Sequence, residues 1–434
     1  MSCKQFDRNG MRLILALALL ALVSARPGAA TVSGRVVDTA GKPVAGAAVV
    51  LEGRAKNVTT DAEGKFSFTT VGVMAAPRAS VAGLIRGRRD GSSMRFGAAG
   101  VSADGRLPDH AANFYGLDPT GMARDAFLSG LSPEGLPSGG LAKRAAAWDT
   151  LGFSKTSFRP KRVLVGGTDS SLGDVTLYPE FSGSPVNYMG FNQYDFQVGG
   201  RAGLVVVPKR PAPGNPWIWR TYFWNHKPRF DSIMAARGYH LAFVNAPNLF
   251  GAPTAVAGMD AFYDEVTKGH GLSRKPTLVG ISRGGLYAYR WSMAHPDRVS
   301  SIYGDAPVMD FVSWPCGCYG TGSGSANDWS MLKTAYSFAG DAEAKAFGGN
   351  PYANMKMFAQ AKIPLIHVYG ETDEVVPAKE NILRANDSLK AYGWPMRLLP
   401  KPGTGYVHGP SASDGGLPGQ MDTLVQFILR NTSF

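Results

Sequence analysis

The chain has 434 residues, 44% of them hydrophobic and 18% charged, with 54 glycines and 29 prolines. That length suits two or three domains of about 100–200 residues each, and the apolar share can bury a sizeable core. The low charged fraction excludes a coiled coil, a solvating tail and a disordered chain. The net charge of +12 is spread without long runs, so it is not the clustered footprint of a nucleic-acid binder, although acidic partners such as a uronic-acid polymer suit it.

At the N-terminus, Lys4, Arg8 and Arg12 precede an unbroken apolar run from Leu13 to Val23, and the small residues Ser24, Ala25, Gly28, Ala29 and Ala30 follow. The run is shorter than the roughly 20 residues that span a bilayer. This order of features is that of a signal peptide, here residues 1–30, cleaved after Ala25 or Ala30. The mature protein is expected to be secreted or periplasmic, with no membrane span after cleavage. Export removes Cys3 and leaves Cys316 and Cys318. A bridge across a single residue closes a tight ring, so free thiols are expected there. No second pair of ligands lies nearby in sequence to make a zinc site.

From Thr31 the residues alternate. Strands are expected at Val32–Val37, Ala48–Leu51 and Phe66–Phe68, with turns at Gly41-Lys42-Pro43 and Thr60–Lys65. Short strands with Gly and Pro turns at this spacing indicate an antiparallel β-sandwich. The runs Ser33–Asp38, Pro43–Ala47 and Thr60–Gly64 resemble the carboxypeptidase regulatory-like (transthyretin-like) domain over about 40 residues. Closing strands are expected at Leu151–Ser154, Arg162–Val165 and Gly173–Leu177. This makes a domain of residues 31–180 with a long insertion over about 71–148, in which Asn113–Leu117 is a candidate strand. The domain reads as a packing spacer, with carbohydrate or surface attachment as its functional alternative.

Pro179–Tyr188 reads as a linker. Beyond it, apolar runs alternate with amphipathic segments. Strands are expected at Ala202–Val207, Trp217–Trp224, His240–Asn245, Thr277–Ile281, Val299–Tyr303, Pro364–Tyr369 and Met396–Leu399. Helices are expected at Phe230–Gly238, Gly285–Ala294 and Met421–Leu429. Continuous apolar strands between helices imply an α/β domain, residues 184–434, with a mostly parallel sheet covered on both faces.

The most informative stretch is Pro276 to Gly285. It holds Gly280, Ser282 and Gly284 in a Gly-x-Ser-x-Gly pattern between an apolar strand and a helix. A sharp strand-to-helix turn exposes a serine hydroxyl above the sheet, and its close approach requires flanking glycines. A serine nucleophile needs a base, and the base needs an orienting acid. After the strand at Pro364–Tyr369 comes Gly370-Glu371-Thr372-Asp373-Glu374-Val375-Val376-Pro377, which carries Asp373 as the acid, with Glu371 and Glu374 as rivals. Of the seven histidines, only His408 lies downstream of Asp373, in a Gly-rich loop before the last helix. His240 and His367 fall within strands and read as core residues, whereas His226 reads either as a site residue or as a loop cap.

Residues Ala202–Phe434 resemble the α/β-hydrolase superfamily, and Ser282, Asp373 and His408 match its triad order. Three runs resemble secreted carbohydrate esterases of the pectin-methylesterase-like kind: Pro216–Arg220, Gly280–Tyr287 and Asp305–Pro315. The resemblance implies an acyl-serine mechanism with no metal and no cofactor. Its oxyanion donors would be the backbone N–H of Arg283 and that of Trp224 or Asn225. Arg220 suits uronate carboxylates, and Trp219 and Trp314 suit sugar faces. The expected substrate is a methyl or acetyl ester on an acidic polysaccharide or oligosaccharide. The alternatives are a serine peptidase of prolyl-oligopeptidase type, although no propeller-blade repeat precedes the domain, and a non-catalytic surface-binding protein.

Overall fold

A computed structural model of the chain describes residues 30–52, 57–70, 148–166 and 169–432. The expected signal peptide up to residue 29, and the expected insertion from residue 71 to 147 with the candidate strand Asn113–Leu117, lie outside the described residues.

Seven strands build the first half: β1 Ala30–Val37, β2 Ala48–Leu51, β3 Asn57–Thr59, β4 Lys65–Thr70, β5 Trp148–Lys155, β6 Phe158–Gly166 and β7 Ser170–Thr176. They form one sheet of order β4-β1-β7 and another of order β3-β2-β5-β6. Between the sheets lie Val32, Val36, Val49, Leu51, Phe66, Phe68, Leu151, Phe153, Val175 and Leu177. The turns are closed by short side chains. Asp38 accepts from the amides of Ala40 and Lys42, and Asp61 accepts from that of Lys65, the local bonding that makes aspartate a turn residue.

The second half is a nine-stranded sheet. Its strands are β8 Val186–Tyr188, β9 Phe191–Val198, β10 Arg201–Val207, β11 Trp217–Arg220, β12 His240–Val244, β13 Thr277–Ile281, β14 Ser301–Asp305, β15 Leu365–Gly370 and β16 Arg397–Lys401. The order is β16-β15-β14-β13-β11-β12-β10-β9-β8. The strands from β12 through β16 pair in parallel, and β8, β9 and β10 add antiparallel pairs at one side. Numbered from β9, this is the strand order 1-2-4-3-5-6-7-8 of the α/β-hydrolase fold, with β8 as an extra edge. Helices α1 Arg229–Ala236, α2 Pro253–Asp264, α3 Gly284–Ala294, α4 Ala326–Tyr336, α5 Asp341–Lys345, α6 Met355–Gln360, α7 Ile382–Ala391 and α8 Gln420–Asn431 accompany it. Two apolar layers sandwich the sheet. One is centred on Trp219, Phe262, Tyr287 and Trp291 and the other on Phe230, Met234, Leu424 and Ile428. Among the described residues no helix is long and apolar enough to cross a membrane.

Three expectations change. The stretch read as a linker contains β8, the outer strand of the β8–β9 hairpin. The strand expected to run to Trp224 ends at Arg220, because Thr221 turns its hydroxyl back to the carbonyls of Val279 and Gly284. Cys316 and Cys318, expected as free thiols, are joined in a disulfide with Cα atoms 5.1 Å apart. The loop around them folds on itself, with Gly317 donating to the Ser313 carbonyl and Cys318 to that of Val312.

Candidate active site

The site sits at the carboxyl ends of the central strands, where ligands bind in open α/β sheets. β13 ends at Ile281, and Ser282 follows with φ 49° before α3 begins. A non-glycine residue in this region is uncommon and strained, and such strain marks functional turns. The neighbouring glycines make the turn possible. A Cβ on Gly280 would lie 2.9 Å from the Cα of Gly285, and one on Gly285 would lie 2.6 Å from the Cβ of Pro307. The turn is tied to β14 through the Ser282 amide, which donates to the Asp305 carbonyl at 3.0 Å. The hydroxyl of Ser282 is therefore held at the head of a buried helix, in a residue only 4% exposed.

His408 comes from the loop between β16 and α8. Two features fix that loop. The ammonium of buried Lys401 donates to the carbonyls of Val407 and Gly409, which flank the histidine. Lys227 pairs with Asp414 at 2.6 Å, which ties the loop to the segment after β11. The Nδ1 of His408 meets Asp305 Oδ1 at 3.2 Å. Asp305 is 1% exposed, and its second oxygen accepts from the Gly409 amide at 2.6 Å and the Tyr303 hydroxyl at 3.1 Å. Burial alone would raise this carboxyl. The nearby His408, Lys401 and the Gly409 amide outweigh it and hold the group below the ordinary carboxylate value.

The sequence assigned this position to Asp373, and the structure puts Asp305 there instead. In register, Asp305 ends the strand beside the nucleophile's own, opposite Ile281. Asp373 lies one strand further out, beyond β15, and uses Oδ1 to accept the amides of Val375 and Val376, both at 2.8 Å. Its Oδ2 is buried and has no hydrogen-bond partner among the described residues. Burial raises its carboxyl above the ordinary value, against the pull of those amides and of His408.

Among the described residues, the Ser282 hydroxyl bonds to the phenol of Tyr406 at 2.6 Å rather than to His408. The Tyr406 ring stands edge-on to the His408 ring at 4.7 Å, and the His226 ring meets His408 from another side at 5.5 Å. Ser282, His408 and Asp305 thus lie on adjoining elements, with no hydrogen bond between the serine and the histidine among the described residues. Tyr406 went unnoticed in the sequence, although it lies two residues before the one candidate base. His226, which the sequence offers either as a site residue or as a loop cap, stands beside His408.

The Arg283 amide opens α3 directly after the nucleophile, where a helix N-terminus favours negative charge, and it has no backbone acceptor among the described residues. Trp224 leans on Tyr188 at 5.0 Å and Phe243 at 6.0 Å, and Asn225 accepts from the Tyr188 hydroxyl. The residue the loop lays against the elbow is Tyr222, whose Cβ lies 3.0 Å from a Cβ built on Gly284.

The expected substrate residues move inward. Arg220 is 1% exposed and forms a two-pronged pair with Asp231 at 3.0 and 2.8 Å, so it serves the core and not a uronate. Trp219 is fully buried among Trp217, Phe262 and Trp291. Trp314 is 6% exposed and is covered by the Arg283 guanidinium at 4.9 Å, which in turn pairs with Asp328 at 3.0 Å.

Residues 31–82 match the family model of the carboxypeptidase regulatory-like domain. No curated protein matches the sequence. Solved structures similar to this chain include a puromycin hydrolase (15% identity, TM-score 0.44, covering 66% of this chain and 46% of that one). A puromycin-hydrolyzing peptidase of Mycobacterium tuberculosis has 14% identity, TM-score 0.44 and coverage of 66% and 46%. An acylaminoacyl peptidase of Pyrococcus horikoshii has 14% identity, TM-score 0.44 and coverage of 66% and 49%. The chain spans less than half the length of each. It combines a sandwich similar to the carboxypeptidase regulatory-like domain with, by its own sheet order, an α/β-hydrolase fold.

Proposed function

We propose that the protein is a serine hydrolase that cleaves a carboxylic ester or amide through an acyl-Ser282 intermediate. The observation that supports this most is Ser282 at φ 49° on the turn from β13 to α3, with the His408–Asp305 pair on the adjoining strand end and loop. His408 takes the hydroxyl proton as Ser282 attacks the carbonyl carbon, then passes it to the leaving alcohol or amine. Asp305 holds Nδ1 protonated and stabilises the imidazolium. The Arg283 amide supplies one oxyanion donor, and a backbone N–H at Trp224 or Asn225 in the loop after β11 supplies the second.

The acyl and leaving groups are a further step. Of the residues expected to hold an acidic-polysaccharide ester, Arg220 and Trp219 are buried in the core and Trp314 lies beneath Arg283. That observation weighs against a sugar-binding pocket built from these three; the second reading is a serine peptidase of prolyl-oligopeptidase type. The N-terminal residues support export to the periplasm or beyond.

The test is labelling with a fluorophosphonate probe, followed by a panel of p-nitrophenyl esters, aminoacyl p-nitroanilides, and methylated and acetylated pectin. Wild type is expected to label and turn over at least one class, with Ser282→Ala silent throughout. Turnover of the anilides with none of pectin establishes the second reading. A wild type that neither labels nor turns over any substrate defeats the hydrolase reading.

A further inference from the structure

We propose that Tyr406 is a catalytic residue of this hydrolase: its phenol, bonded to the Ser282 hydroxyl at rest, donates to the substrate's carbonyl oxygen as that oxygen gains negative charge during attack. The proposal rests on the serine-hydrolase reading above.

The two oxygens are 2.6 Å apart, so a single proton lies between them. In the resting site either hydroxyl can supply it. Once Ser282 has given its proton to His408 and an electron pair to the carbonyl carbon, the carbonyl π pair moves onto the neighbouring oxygen, and the phenol redirects its hydrogen bond from the serine oxygen to that oxyanion, where it is charge-assisted. No bond to the tyrosine forms or breaks, and its proton stays on the phenol throughout. Burial raises the Tyr406 pKa, with Asp373 and Asp305 acting in the same direction against the Ser282 contact and Arg283. Tyr406 therefore remains a neutral donor over the range in which an imidazole works as a base.

The loop makes this arrangement deliberate in a physical sense. Lys401 holds the carbonyls of Val407 and Gly409, so the two-residue step from Tyr406 to His408 is anchored as a unit. Base and donor reach the same serine from one loop, with their rings in contact at 4.7 Å. Tyr406 is still 39% exposed, so its hydroxyl stands at the mouth of the site and not in the core.

The test uses the full mature chain and Tyr406→Phe, which keeps the ring against His408 and deletes only the hydroxyl. Probe-labelling rate, kcat and KM on the best substrate of the panel, and the melting temperature are measured for both. The expected result is a loss of roughly 10²-fold in kcat and in labelling rate, with KM and melting temperature nearly unchanged. Equal rates in the two proteins overturn the proposal. Faster labelling of Tyr406→Phe also overturns it, by showing a plug over the nucleophile. A lower melting temperature with unchanged kcat assigns the hydroxyl a structural role. If wild type itself fails to label, the hydrolase reading falls first, a failure distinct from all three.

Discussion

Two carboxylates act on His408 from neighbouring strand ends, and their existing partners separate their roles. Asp305 spends one oxygen on Gly409 and Tyr303 and offers the other to the imidazole. Asp373 spends Oδ1 on two amides of its own turn and leaves Oδ2 bare. Replacing Asp305 by Asn puts an amide where the imidazole N–H must donate, which favours the wrong tautomer. Asp305→Asn is expected to lower kcat on the order of 10⁴-fold. Asp373→Asn retains an oxygen for the Val375 and Val376 amides and is expected to stay within a few-fold of wild type. Its stability at neutral pH should hold or rise. Burial lifts the Asp373 carboxyl above its ordinary 3.8, so ionisation costs the folded state stability as pH climbs through the raised value. Kinetics of the two variants side by side decide the matter, and the reverse ranking would return the orienting role to Asp373.

At the scale of elements, what was legible in the sequence is what local chemistry dictates. The Gly280-x-Ser282-x-Gly284 turn announces itself because nothing with a side chain fits there, and the buried parallel strands announce themselves as apolar runs. Strand β9 did not, because it lies on the antiparallel side of the sheet and alternates half-buried and exposed residues. The choice between Asp305 and Asp373 was hidden for another reason. Both follow parallel strands, and only the pairing of β14 with β13 puts the first beside the serine. Arg220 and Trp219 looked like binding residues because sequence shows residue type and not the direction a side chain faces. The junction of the two halves was equally invisible. Arg159 of β6, 7% exposed, donates to Nε2 of fully buried His240 at 2.7 Å and to the His270 carbonyl, with its guanidinium over Phe181 at 4.7 Å. Arg159→Met keeps much of the packing volume and strands the His240 acceptor, an expected loss of about 1–3 kcal/mol. A thermal melt should show a fall of several degrees with kcat intact, and an unchanged melt would mean that the sandwich docks by other contacts.

For the whole molecule, the two core histidines set how the fold meets acid. Burial keeps His240 neutral, its pKa pushed well below 6.5, and the Arg159 guanidinium adds to this. Burial likewise lowers His367 to about 3, where its Nε2 lies 2.7 Å from the Tyr289 hydroxyl. When the chain unfolds, both regain an ordinary histidine pKa and take up protons below about 6.5. The unfolded state then binds more protons than the folded one, so stability drops as pH falls through that value. At pH 5.0 His367 contributes about 2 kcal/mol of lost stability relative to pH 7.5, at 1.36 kcal/mol for each pH unit below its unfolded pKa, and the lowered His240, His270 and His226 act in the same direction. The lowered Asp305 adds nothing in this window, because its own loss begins only below the ordinary carboxylate value. The raised Asp373 works in the opposite direction and trims the effect. Urea unfolding at the two pH values is therefore expected to show a loss of stability for wild type that is smaller by about 2 kcal/mol in His367→Gln. Equal midpoints at pH 7.5 and 5.0 would mean that both of these histidines are charged in the native core, and the buried partners assigned to them here would be wrong.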